Sequence, residues 1–188
     1  MNLYLQLISI MLTYPDEEMM RSLDDVQSLI PEIQDQGGRA VLREFVRYLR
    51  GTPIVRLQEE YTRRFDLNPA TSMDLTLHRG IHEAERGRAL SSLAGIYRDE
   101  GLEKITGELP DHLPLLLEFL AVGSEGACEA IRRDFREPTK TLAANLEEEG
   151  SPYAALVGLA AKLMTETRGP ESRVQRSGVQ KIGDWGPS

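Results

Sequence analysis

The sequence predicts an all-α, single-domain helical bundle, and three observations carry that prediction. Apolar residues recur at three- and four-residue spacings along most of the chain. No stretch alternates apolar and polar residues between turn signals as a strand would. The 188 residues are 40% hydrophobic and 28% charged, a balance that suits one globular domain with a substantial core. The domain is expected over residues 1–167. A Gly/Pro/Ser-rich tail over 168–188 has no face to bury, and Trp185 in that tail is expected to cover an apolar patch of the body.

The elements follow in order. Residues 2–13 are apolar on most sides, through Leu3, Leu5, Leu7, Ile8, Ile10, Met11 and Leu12, and predict a buried helix. Tyr14-Pro15-Asp16 breaks the chain and opens a second helix, with Glu17 and Glu18 in its first turn, where the helix dipole favours them. Weaker helices over 19–34 and 39–49 are expected to part at Gly37-Gly38 and to close at Gly51. Pro53 suits a first helical position, and Ile54, Leu57, Tyr61 and Phe65 then form one stripe. Opposite it, Glu59 with Arg63 and Glu60 with Arg64 are spaced as (i, i+4) pairs, each worth about 0.2–0.5 kcal/mol. A loop over 67–72 precedes a long helix expected over 74–99, polar at first and apolar through Ala89, Leu90, Leu93, Ile96 and Tyr97. Asp111 reads as the N-cap of the next helix, with Pro114 in its first turn and Leu113, Leu116, Leu117 and Leu120 on its buried face. Helices over 125–136 and 139–149 are expected to be separated by Pro138, and Ser151-Pro152 starts a last one carrying Tyr153, Leu156, Ala160 and Leu163.

Charge and cysteine content exclude several function classes. The net charge of −8 repels phosphate backbones and anionic lipids, so nucleic-acid and membrane-surface partners have no electrostatic support. A basic partner is favoured. The single cysteine, Cys128, excludes an internal disulfide and a thiolate metal site. The apolar start has no basic residue ahead of it and no small-residue cleavage site, and the apolar run 113–122 is interrupted by Glu118 and too short for a bilayer of roughly 30 Å. Direct membrane insertion is not expected, and a cytoplasmic location is.

Few residues carry chemistry. His78, His82 and Glu85 are spaced like a metal face. A carboxylate-bridged site would instead need Glu-x-x-His with matching glutamates on facing helices. The order here is reversed and unmatched, so polar packing or partner contact is the better reading. Asp111 and His112 are adjacent, and neighbouring helix residues point about 100° apart, which disfavours an acid–base pair. Arg63-Arg64 and Arg132-Arg133 lie inside amphipathic helices, far from an export-signal position. With no phosphate loop and no nucleophile elbow, no catalytic residue is expected. Physics alone points to an acidic bundle with a histidine-bearing segment facing a Pro-Asp-His loop.

Several strings resemble the NarJ-type delta-subunit chaperones of respiratory nitrate reductase, within the TorD/DmsD family of redox-enzyme maturation proteins. They are Met11-Leu12-Thr13-Tyr14-Pro15-Asp16, Tyr61-Thr62-Arg63-Arg64-Phe65-Asp66, Thr71-Ser72, His78, Arg86-Gly87-Arg88-Ala89-Leu90 and above all Glu108-Leu109-Pro110-Asp111-His112-Leu113-Pro114-Leu115. Tyr153-Ala154-Ala155-Leu156 is a weaker match. The resemblance spans roughly residues 4–163. It departs at His78-Arg79-Gly80-Ile81, where nitrate-type members carry His-Val-His-Gly, and in lacking a longer acidic C-terminal extension.

The resemblance implies the TorD/DmsD/NarJ-type bundle and a chaperone with no activity of its own. Such a protein holds the N-terminal segment of a molybdoenzyme's catalytic (alpha) subunit until Mo-bis-MGD is inserted, and so prevents premature membrane docking or export. No cofactor is bound stably, and cofactor-delivery proteins are further partners. Nitrate reductase is the implied client, with chlorate, selenate, tetrathionate and dimethyl sulfide enzymes as alternatives. The peptide-binding residues are expected to be Tyr61, Phe65, His78, His82, Glu83, Arg86, Gly87, Leu90, Glu108, Pro110, Asp111, His112 and Leu115. They would form an apolar groove that takes an amphipathic helix, with Glu83, Glu85, Glu108 and Asp111 attracting its basic residues.

Overall fold

A computed structural model describes residues 2–104, 107–165 and 180–182. Its spine is a pair of apolar helices, α1 (Leu3–Met11) and α6 (Leu113–Val122). Nine of the ten residues of α6 are buried, and α1 is buried on nearly every face, as its composition predicts. The Asn2 side chain caps α1 by accepting from the Tyr4 and Leu5 amides. Two hydrogen bonds make the pair antiparallel: the Asn2 amide donates to Ala121 at 2.9 Å, and Ser9 Oγ donates to the Pro114 carbonyl at 2.8 Å.

Local signals set most of the other boundaries. Asp16 caps α2 (Glu17–Leu29) through the Met19 amide, with Glu17 and Glu18 in the first turn. Asp35 caps α3 (Gln36–Gly51) through Gly37, so the helix runs through the glycine pair expected to interrupt it. Pro53 stands at the cap of α4 (Ile54–Tyr61) and not inside it. The chain then widens into a π-helical turn over Thr62–Asp66, which buries Arg64 beside Phe65. That turn changes the register on which the expected ion pairs depended. Glu59 pairs with Arg56 at 3.0 Å, and Arg64 reaches Glu149 at 3.5 Å. Glu60 accepts from the Tyr48 hydroxyl at 2.9 Å.

The largest departures from expectation lie further on. The helix expected over 74–99 is a 3₁₀ turn, Leu75–Arg79, a left-handed Gly80 (φ 63°), and then α5 (Glu83–Asp99). Glycine alone adopts that turn without strain. Of the seventeen residues of α5, Leu93 and Tyr97 are buried, while Ala89, Leu90 and Ile96 are half-buried. Pro138 does not divide two helices: α7 (Glu125–Glu148) runs through it. An interior proline costs about 3 kcal/mol; here α7 packs along α8 (Ala154–Thr165) and the 3₁₀ turn, and that burial offsets it. One short parallel pair, β1 (Leu102–Lys104) with β2 (Gln180–Ile182), departs from the strand-free expectation. Trp185 lies outside the described residues.

Tyr153, just before α8, is 1% exposed and stands at the centre of the aromatic packing. Its ring lies 4.9 Å from Phe45, 5.0 Å from Phe65 and 6.3 Å from Tyr61 in edge-to-face contacts, the geometry that aromatic quadrupoles favour. Helices α3, α4 and α8 thus meet on one ring. Burial raises the pKa of Tyr153, Tyr61 and Tyr97 above the ordinary tyrosine value, as it does, more exposed, for Tyr48, where the Glu60 carboxylate adds to it.

Two predictions follow from this packing. A Cβ on Gly123 would sit 2.7 Å from the Phe119 ring and 2.9 Å from Cys128 Sγ, whereas one on Gly126 would meet nothing. Gly123→Ala should lower unfolding free energy by about 1–3 kcal/mol and Gly126→Ala should raise it by about 0.5–1 kcal/mol, both read by denaturant titration. The raised tyrosine pKa values are linked to stability in one direction. The contribution is intact below the unfolded value of 10.0 and is lost as pH climbs from there toward the folded values. Tyrosinate absorbance should therefore show Tyr48, Tyr61, Tyr97 and Tyr153 ionising together with loss of helical circular dichroism, above pH 10.

Candidate functional site

Asp111 is not a helix cap. His112 occupies that position on α6, and Asp111 lies one residue earlier with 0% exposure. Its Oδ2 accepts from the Thr76 amide at 2.8 Å and from Thr76 Oγ1 at 2.6 Å. Its Oδ1 is sealed without a hydrogen-bond partner. A carboxylate taken from water must be hydrogen-bonded, so Asp111 locks the 3₁₀ turn against the start of α6. Backbone bonds continue the seam. The Leu75 amide donates to Asp111 at 3.2 Å and the Leu113 amide to Met73 at 2.9 Å, and Asp74 pairs with His112 in an isolated antiparallel bridge.

Polar side chains extend the seam outward. Arg86 Nε donates to Thr76 Oγ1 at 2.9 Å, and its Nη2 lies 3.8 Å from Asp74 Oδ2. This ties the first turns of α5 to the same point. His112 Nδ1 is 3.3 Å from Asp74 Oδ1 and 3.9 Å from Glu108 Oε2. His78 Nε2 lies 2.8 Å from the Ser72 carbonyl. From below, the Tyr97 hydroxyl donates to the Pro110 carbonyl at 2.7 Å while its ring packs 4.8 Å from Phe119. The Tyr61 hydroxyl donates to Leu12 at 3.1 Å and lies 3.9 Å from Met73 Sδ.

The expected site residues thus sort by depth. Asp111, His112, Pro110, Glu108, His78 and Arg86 gather around the Asp74–Thr76 segment. Tyr61 reaches it through Met73. Tyr61, Phe65, Asp111 and Leu115 are buried, so they support a surface and do not line a trough. His82, Glu83, Gly87 and Glu108 are exposed, and His78, Arg86, Leu90, Pro110 and His112 half-buried. The exposed large apolar side chains of these segments are Leu77 and Leu109, 43% and 37% exposed. Asp74 and Thr76 went unrecognised because a continuous helix would turn them outward; Gly80 was the signal against that helix.

The broken helix also removes the metal face. Gly80 separates His78 from His82, whose amide donates to Glu85 Oε2 at 3.2 Å at the start of α5. Among the described residues, no group of three or more His, Cys, Asp or Glu side chains could hold a metal. Cys128 is buried and packs as a core thiol. No helix among the described residues is long and apolar enough to cross a membrane.

The fold and seam define a helical bundle with a buried Asp-centred clamp and an acidic, histidine-bearing rim. Residues 32–157 match the family model described as "Nitrate reductase delta subunit". The chain is 34% identical over 150 residues to the probable nitrate reductase molybdenum cofactor assembly chaperone NarJ of Bacillus subtilis (strain 168), covering 80% of this chain and 82% of that one. It is 31% identical over 161 residues to the nitrate reductase molybdenum cofactor assembly chaperone NarJ of Escherichia coli (strain K12), covering 85% and 68%. It also matches 24% of the nitrate reductase-like protein NarX of Mycobacterium tuberculosis, at 30% identity over 157 residues. The chain belongs to the nitrate reductase delta subunit family.

Removing the Asp111 carboxylate strands two buried donors on Thr76, each worth about 1–3 kcal/mol when left unpaired. Asp111→Ala should therefore destabilise by about 2–4 kcal/mol, more than loss of a cap. The double variant with Thr76→Val should cost clearly less than the two single changes added together, measured as a denaturation cycle.

Proposed function

We propose that this chain is a non-catalytic, cytoplasmic chaperone dedicated to one molybdoenzyme. It holds the N-terminal segment of a nitrate reductase catalytic subunit while Mo-bis-MGD is inserted, and keeps that subunit from docking or being exported early. The observation that carries the reading is the clamp. Asp111 gathers three chain segments, and the surface over it carries Leu77 and Leu109 beside Glu83, Glu108 and His112. Family membership and the names of the relatives support the client.

The mechanism follows from this rim. An amphipathic client helix would set apolar residues on Leu77, Leu109 and the half-buried Leu90. Its basic residues would face Glu83 and Glu108, which speed encounter and set register. Arg86 and Asp74 hold the α5 start and the Pro110–His112 loop at a constant spacing, so the surface is ready before the client arrives. The chaperone performs no chemistry on the cofactor. Its task is to keep the client open to cofactor insertion, with cofactor-delivery proteins acting on that held state.

Calorimetric titration with a synthetic peptide of the nitrate reductase catalytic subunit's N-terminus tests this. Wild type should bind, and Leu109→Asp and Glu108→Lys should each weaken binding by about tenfold, a loss typical of interface anchors, with melting temperatures unchanged. Equal affinity in both variants would place the site elsewhere. No binding by the wild type would remove this client.

A further inference from the structure

Arg132 is a buried cation with no anion beside it among the described residues. It sits on the buried face of α7 at 5% exposure, and its Nε is a sealed donor with no acceptor. No carboxylate among the described residues forms an ion pair with it. The other deeply buried arginine, Arg64, has Glu149 at 3.5 Å, and the half-buried Arg86 has Thr76 and Asp74. A guanidinium cannot shed its proton in a protein, so burying one alone is costly. A second arginine, with no ion pair among the described residues, lies over a ring of the same helix. Arg79 ends the 3₁₀ turn that packs on α7, and its guanidinium carbon lies 5.7 Å from the Phe135 ring centre. Phe135 is one turn after Arg132 on the same helix, where (i, i+3) side chains are neighbours.

We infer that Arg132 and Arg79 form an oxyanion-binding site for a phosphate or diphosphate group. One positive charge over the Phe135 ring and a second one turn away on the same helix call for a doubly charged ligand, which a single carboxylate is not. The guanidinium fork pairs with phosphate oxygens through two parallel hydrogen bonds. In a chain of net charge −8 such a pair is the kind of local exception that draws an anion the remainder repels. Arg132 supplies the desolvated contact that gives binding strength; Arg79, half-buried and over the Phe135 ring, guides entry. The site does not depend on the peptide-binding reading.

The test uses the full chain with inorganic pyrophosphate, inorganic phosphate and acetate at matched ionic strength, read by thermal melting and calorimetry. Pyrophosphate and phosphate should raise the melting temperature, and acetate should not. Arg132→Met should abolish the shift and melt above wild type in phosphate-free buffer, because it relieves an unpaired buried charge. Arg79→Gln should weaken pyrophosphate about tenfold or more, the worth of a charged hydrogen bond, and exposed Arg133→Gln should change nothing. The site is refuted by a wild type indifferent to both phosphates, by acetate acting equally, or by a shift that survives in Arg132→Met. Should Arg132→Met fail to fold, an Arg79→Gln affinity equal to wild type refutes it.

Discussion

A carboxylate shut away from water constrains everything around it, and here that carboxylate is Asp111. Once α6 is packed against α1, the residue preceding its cap falls inside the protein, where an unsatisfied carboxylate would be costly. Thr76 resolves this with two donors on one oxygen. Both donors come from the first turn after Asp74, where a backbone N–H has no partner within its own helix and is free to reach Asp111. Gly80 then ends the turn in the left-handed region, and Arg86 ties the start of α5 back to Thr76 and Asp74.

The clamp works because it rests on a rigid support. Tyr61 and Tyr97 each use their single hydroxyl to hold a loop carbonyl, of Leu12 and Pro110 respectively, and bury their rings in the core. Interiors packed this way deform little, so the rim above Asp111 keeps its shape without a ligand. α5 is the opposite case: it is anchored through Leu93, Tyr97 and Arg86, and much of its surface faces solvent.

The two sealed arginines show how the same residue type serves different ends. Arg64, turned inward by the π-helical turn, finds Glu149 and joins α4 to the end of α7. Arg132 finds no such partner among the described residues.

The helical class, the buried first helix, the opening of α2 at Asp16 and the apolar α6 were all legible in the residues, because each rests on local spacing or on a signal within a few positions. The motif around Asp111 and His112 was legible too, but its role was not. What the chain alone could not reveal was every feature settled by distant partners: Pro138 carried inside α7 by packing on α8, Arg64 turned away from Glu60 toward Glu149, Tyr61 and Phe65 drawn under the surface, and Asp111 paired with a threonine 35 residues away. Local preferences amount to tenths of a kcal/mol per residue, whereas burying a ring or stranding a carboxylate is worth several times more. Where the two conflicted, burial won.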